Sequence, residues 1–236
     1  MALNKARLDR FLAQYCQISR KNVRLILAQN RVFIDGIVAH NIDEVIDTFS
    51  LITLDGKVIQ ENSAYYIMLN KPTGVVSATS DTKHKTVIDL LDYPFKHELH
   101  IVGRLDLNTS GLVLLTNDSR WSERLTLPDK KVAKRYKVTL QNPLNEEYIA
   151  AFAKGMYFAF EDLTTKPAKL TILSDYQAKV ELIEGRYHQI KRMFGRFRNP
   201  VKALHRCSIG NLQLDSRLDE GQSRKLTQAE INNIDQ

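Results

Sequence analysis

The stretch GRLDLNTSGL, residues 103–112, places one carboxylate, Asp106, two residues after Arg104 and just ahead of the apolar run Leu112 to Leu115. If the segment is locally extended, the Arg104 and Asp106 side chains share a face. A carboxylate beside a cation can act as nucleophile or general base. A second stretch, EGRYHQIKRMF at 184–194, offers Arg186 as a partner cation. A carboxylate that must stay ionised beneath a bound polymer needs one, because burial raises its pKa and a neighbouring arginine lowers it. The plainer reading is a loop entering a strand, built of Asp, Asn, Thr, Ser and Gly because these side chains satisfy a turning backbone. Residue types alone leave both readings of Asp106 open.

Other chemistries find less support. His84, His97, His100, His188 and His205 never form H-E-x-x-H, and only the weak His205 and Cys207 pair approaches zinc-like spacing, so no metal site is expected. The serine-hydrolase signature G-x-S-x-G is missing, and Ser110 falls in the turn. Neither a Walker loop nor G-x-G-x-x-G is present, which argues against a nucleotide-binding doubly wound fold. Cys16 and Cys207 are too few for a disulfide framework and are expected as reduced thiols. The N-terminus lacks an apolar signal region and no segment approaches a membrane span, so a soluble cytoplasmic protein is expected. No oligomerisation signal stands out, so a monomer is expected.

The elements that would position these residues fall into two groups. ARLDRFLAQY aligns Leu8, Phe11, Leu12 and Tyr15 on one helical face, and SRKNVRLILAQN begins with the N-cap Ser19 and aligns Val23, Ile26 and Leu27. Arg20, Lys21 and Arg24 stay outside that face. RVFIDGIVA and FSLITLDGKVI follow as two hairpins turning at Asp35-Gly36 and Asp55-Gly56. The polar QENSA, 60–64, reads as a linker, which gives domains at 1–60 and 61–236.

The second group opens with YYIMLNKPTGVVSA, a strand broken at Lys71-Pro72 and resumed after Gly74. LHIVG, GLVLLTN, RYKVTL, AKLTILS and AKVELIE read as strands, whereas TVIDLL, SRWSERLT, NEEYIAAFAKG and YHQIKRMFGRF read as helices. Strands dominate without βαβ alternation, which predicts an α+β fold on a mixed or antiparallel sheet.

The net charge of +7 over 236 residues points to a polyanionic partner. Residues 1–31 carry seven Lys and Arg against one acid, and residues 185–206 carry seven against none.

Taken in order, LNKPTG (69–74), GRLDLNTSGLVLLTND (103–118), KRYKVTL (134–140) and EGRYHQIKRMF (184–194) resemble the motifs of the pseudouridine synthases. DLTTKPAKL (162–170) fits the same subgroup, and the likeness extends over nearly the whole chain. The two N-terminal helices and small strands resemble the αL RNA-binding domain that this subgroup carries ahead of its catalytic domain. The likeness is strongest to the branch acting on small-subunit (16S) ribosomal RNA.

The resemblance implies a catalytic role for Asp106, base stacking for Tyr136, and pairing of Arg186 with the aspartate. It implies that Arg104 helps displace the target base and that Lys71 and Pro72 support the catalytic loop. Contacts to RNA are expected from Lys71, Arg104, Arg20, Lys21, Arg24, Lys191 and Arg192. No cofactor is implied, since uridine and pseudouridine differ only in whether nitrogen 1 or carbon 5 of the uracil is bonded to the ribose. Asp106 could attack the ribose or remove a ribose proton, and a phenol such as that of Tyr136 is a weak base for the proton leaving carbon 5. The same reaction on large-subunit (23S) rRNA is one alternative. A non-catalytic rRNA-binding assembly factor is another, although it would have no need of the Asp106, Tyr136 and Arg186 set.

Overall fold

The computed structural model describes residues 5–127 and 130–235. The chain forms two compact units that divide between Ala64 and Tyr65. That division lies a few residues beyond the expected boundary at 60, and within the linker Asn62 donates to the Thr48 carbonyl at 2.8 Å.

The first unit runs β1 (Lys5–Arg7), α1 (Leu8–Cys16), α2 (Arg20–Ala28), β2 (Val32–Ile34), β3 (Ile37–Val38), β4 (Val45–Asp47), β5 (Ile52–Leu54) and β6 (Lys57–Gln60). Ser19 caps α2 by accepting from the Asn22 amide. Asp35-Gly36 and Asp55-Gly56 have positive φ at both positions, the geometry that lets a two-residue turn follow the strand twist. Leu8 and Leu12 from α1 pack with Val23 and Leu27 from α2 over Val32, Ile46 and Ile52. Tyr15, expected on the apolar face, is mostly exposed and stacks on Phe11. Strand β1 was not expected; it pairs antiparallel with β4. Arg20, Lys21 and Arg24 stand exposed along α2.

The second unit runs β7 (Tyr66–Lys71), β8 (His100–Val102), β9 (Ser110–Thr116), α3 (Ser119–Thr126), β10 (Lys134–Leu140), α4 (Glu146–Lys154), β11 (Tyr157–Phe158) and β12 (Leu163–Thr164). It continues through β13 (Lys169–Ser174), β14 (Gln177–Leu182), α5 (Gln189–Gly195), β15 (Val201–Ile209), β16 (Leu212–Gln213), β17 (Ser223–Lys225) and α6 (Gln228–Asn233). Nine strands form one sheet in the order β13-β14-β10-β15-β9-β7-β17, with β16 on β15 and β8 on β9. All its pairings are antiparallel except β15 with β9, so the fold is α+β on a mixed, mainly antiparallel sheet.

Both faces of the central strands are covered. On one face Ile67, Leu69, Val113 and Leu115 join Val138, Phe152 and Phe194. On the other, Met68, Leu112 and Leu114 join Trp121, Leu125 and Ile209. Every residue of β9 is therefore buried, which is why its sequence is a continuous apolar run with no alternation.

Two expected elements do not form. TVIDLL is a turn in which the Asp89 carboxylate accepts from the Thr86 amide and hydroxyl, side-chain bonds that compete with a helical backbone. The strand expected after Gly74 is reduced to a single bridge between Val76 and Thr86.

Candidate active site

Between the end of β8 at Val102 and the start of β9 at Ser110 the chain has no strand partner, so its carbonyls need donors from elsewhere. Arg206, on β15 and 1% exposed, donates from Nη2 to the Gly103 carbonyl at 2.6 Å and from Nε to the Leu112 carbonyl at 2.7 Å. One guanidinium thus ties both ends of GRLDLNTSGL. Lys71 ends β7 fully buried, its Nζ donating to the carbonyls of Thr109 at 2.7 Å, Pro72 at 2.8 Å and Leu107 at 3.4 Å. The Ser77 hydroxyl donates to the Leu105 carbonyl and accepts from the Leu105 amide. The Thr109 amide closes a turn on the Asp106 carbonyl at 3.0 Å. At Gly111 (φ 105°) a Cβ would lie 2.3 Å from the Arg206 carbonyl oxygen, so only glycine lets β9 and β15 meet here.

The Asp106 side chain opens into a cleft of about 1070 Å³ that is also lined by Arg104, Lys134, Tyr136, Arg186, His188 and Lys191. Lys191 Nζ lies 2.9 Å from Oδ2 of Asp106, and His188 Nε2 lies 3.4 Å from Oδ1. His188 takes a left-handed conformation (φ 50°) immediately ahead of α5, and Lys191 follows in the first turn, so one short segment aims both nitrogens at the carboxylate. Tyr136, 8% exposed, sits where β10 slips register against β15, and it pairs with Arg206 across that irregularity. A bulge of this kind re-aims a side chain relative to a regular ladder. Burial pushes the Lys71 ammonium down to about 8, against the opposing charge of Asp106. Burial likewise takes Lys134 down to about 8, with the Arg206 charge adding to the effect.

Asp106, Tyr136, Arg104 and Arg186 therefore line one cleft. The expected pairing of Arg186 with Asp106 is not what the structure holds. Arg186 Nε donates to Glu184 at 3.1 Å, and that buried carboxylate also accepts from the Lys166 amide and the Gln189 side chain. The cation on Asp106 is Lys191, which was expected on RNA.

Two further residues expected on RNA have partners within the protein. Lys71 is fully buried and its donors are taken by the loop carbonyls. Arg192 is held by Glu161, with Nη2 to Oε2 at 2.6 Å, and its guanidinium carbon lies 3.7 Å over the Phe158 ring. His188, Lys134, Ser77 and the clamp by Arg206 were missed. The i, i+3 spacing of His188 and Lys191 carried a signal, since it places both on one side of a helix start.

Residues 65–195 match the family described as RNA pseudouridylate synthase, and that match begins where the second compact unit begins. The ribosomal small subunit pseudouridine synthase A of Pseudomonas aeruginosa is 46% identical over 226 residues, covering 95% of this chain and 98% of that one. Its namesake in Escherichia coli is 41% identical over 229 residues, covering 97% and 99%. A solved pseudouridylate synthase structure superimposes with a TM-score of 0.71 at 41% identity, covering 97% of this chain and 99% of the other. Among the described residues no helix is long and apolar enough to cross a membrane. A family match over more than half the chain, with relatives alike from end to end, shows that the chain belongs to the RNA pseudouridylate synthases and is an isomerase.

Proposed function

We propose that this chain converts one uridine of small-subunit (16S) ribosomal RNA to pseudouridine during ribosome assembly, with Asp106 acting on the ribose. The observation that carries the reading is the Asp106 carboxylate, which faces an open cleft with Lys191 and His188 on its two oxygens while its loop is fixed by Arg206, Lys71 and Ser77. The names of the relatives support the small-subunit choice.

In the reaction the bond between nitrogen 1 and the ribose breaks, the uracil turns within the cleft, carbon 5 bonds to the same ribose carbon, the proton on carbon 5 leaves, and the freed nitrogen 1 takes up a proton. Asp106 serves as carboxylate by either open route, as nucleophile on the ribose or as base for a ribose proton, and Lys191 Nζ at 2.9 Å holds it in place. The target base must first leave its stack, which costs a few kcal/mol. Tyr136 offers it a new stacking face on the cleft wall, and Arg104, exposed on the same cleft, fills the place the base vacates. Arg186 borders the cleft beside the incoming backbone.

The first unit serves as the αL-type RNA clamp, with Arg20, Lys21 and Arg24 meeting phosphates, which position RNA without reading its sequence. Two free cysteines suit the reducing cytoplasm where ribosomes assemble.

The test is Asp106→Asn in the purified chain with rRNA, scored by mass-spectrometric detection of pseudouridine. Product formation is expected to fall by at least about a thousandfold while RNA affinity stays within about twofold, because the amide keeps the shape and loses the charge. Measurable turnover by the variant would remove Asp106 from the chemistry. Product in 23S rather than 16S rRNA would move the substrate to the large subunit. Absence of product from the parent chain on either rRNA would leave a binding factor.

A further inference from the structure

Strands β11 and β12 pair into a short hairpin whose tip is fastened by the Tyr157 hydroxyl donating to Asp162 at 2.8 Å. That tip carries Phe160, which is 97% exposed, the most exposed large apolar side chain among the described residues. A phenyl ring left in water forgoes the free energy of its burial, and here the neighbouring Phe158 takes the buried position beneath Arg192. Tyr187, 74% exposed, lines the cleft ahead of α5, with its ring stacked on His188 at a centroid distance of 3.9 Å. The imidazole backs one face of the phenol ring and holds its orientation.

Arg192 joins the two segments. It grips Glu161, which adjoins Phe160 and also lines the cleft, and its Nη1 donates to the Tyr187 carbonyl at 3.4 Å. The adjacent Lys191 is the residue on Asp106. Both exposed rings are thereby tied through one helix start to the candidate catalytic carboxylate, with the exposed Arg104 and Arg186 on the same cleft.

We propose that Phe160 and Tyr187 form an aromatic rim on which unpaired bases flanking the target uridine stack, so that the enzyme takes its target from a single-stranded stretch of RNA. The inference rests on the RNA substrate proposed above. Aromatic faces beside cations are the means by which single-stranded RNA is held without sequence reading, and a duplex hides the base faces they need. Exposed rings on a protein-contact surface would not require a common tether to the catalytic carboxylate.

The test compares the full chain with Phe160→Ala and Tyr187→Ala by fluorescence anisotropy on two probes: a single-stranded oligouridine and an oligomer of equal length built from abasic nucleotides. Each variant is expected to bind oligouridine about five- to a hundredfold more weakly, to bind the abasic oligomer within about twofold of the parent, and to keep the parental salt dependence. Phe160→Trp and Tyr187→Phe are expected to retain parental affinity, because stacking uses the ring and not the hydroxyl. Equal losses on the abasic oligomer would overturn the proposal in favour of a structural or electrostatic effect. Unchanged binding of oligouridine would overturn it in favour of a protein-facing surface. Pseudouridine formation by the parent is scored separately on rRNA; if it is absent while the base-dependent losses persist, the proposed activity fails and the aromatic rim stands.

Discussion

Residues 5–31 and 186–206 each carry seven Lys and Arg, and the fold puts them to different uses. In the first segment Arg7 and Arg20 pair with Asp9 and Arg31 with Asp55, while Arg10, Lys21 and Arg24 are exposed and, among the described residues, in no ion pair. In the second, Arg206 is buried on two carbonyls, Lys191 sits on Asp106, Arg186 on Glu184 and Arg192 on Glu161. Charge density in a sequence thus points to anionic partners without saying where they are. A loop with no strand neighbour presents carbonyls, and a carboxylate in a cleft presents oxygens, that compete with phosphate for the same side chains.

Replacing Arg206 by Met should show the largest effect of inward commitment. Two carbonyls lose their donors, and the expected cost is about 3–5 kcal/mol of stability in urea unfolding, with pseudouridine formation lost as the loop loosens. Parental stability and rate would erase the distinction between the segments. Lys191→Met should lower kcat about ten- to a hundredfold with KM little changed, because the carboxylate loses the ammonium that holds it at 2.9 Å. Lys191→Arg should recover most of the rate. A loss confined to RNA affinity, with kcat unmoved, would return Lys191 to the phosphate-binding group.

Changing Arg10, Lys21 and Arg24 together to Gln should leave turnover at saturating RNA unchanged and flatten the dependence of log affinity on log salt by up to about three. An unaltered slope would take the first unit out of RNA binding. The smallest effect concerns Lys134, whose folded pKa of about 8 lies below its ordinary 10.5. Between those values the unfolded chain binds more protons than the folded one, so stability from this group rises with pH. Urea midpoints of the parent should accordingly gain on those of Lys134→Met from pH 8 to pH 10, and a constant gap would contradict the burial of a charged amine.

Much of the fold was legible where local signals agreed. SRWSERLT forms α3 with its cap supplied by Asp118, and both Asp-Gly hairpins form where the turn chemistry places them. Strand β15, nine residues long and central to the sheet, was hidden because the positions it buries include Arg206 and Ser208, so its alternation reads as basic surface. TVIDLL misled in the opposite direction, since Val87, Ile88 and Leu91 are apolar for the core and not for a helix face.

In the candidate site, the motifs led to Asp106, Tyr136 and Arg104, which line one cleft. The partner of Asp106 could not be read from them, because the choice between Arg186 and Lys191 turns on which side chain Glu184 claims first, and that is a matter of distance.

The clamp on the Asp106 loop also sets a timetable. Arg206 reaches back 103 residues to Gly103 and 94 to Leu112, and β15 pairs in parallel with β9 at His205 with Ser110 and Arg206 with Gly111. Contacts so remote in sequence are closed after local ones. A chain emerging from the ribosome therefore displays its basic helices, its aspartate and its tyrosine well before the strand that fixes the aspartate exists. The clamp on Asp106 arrives with the C-terminal strands, and a copy ending before β15 would carry the aspartate on a loop with no guanidinium to close it.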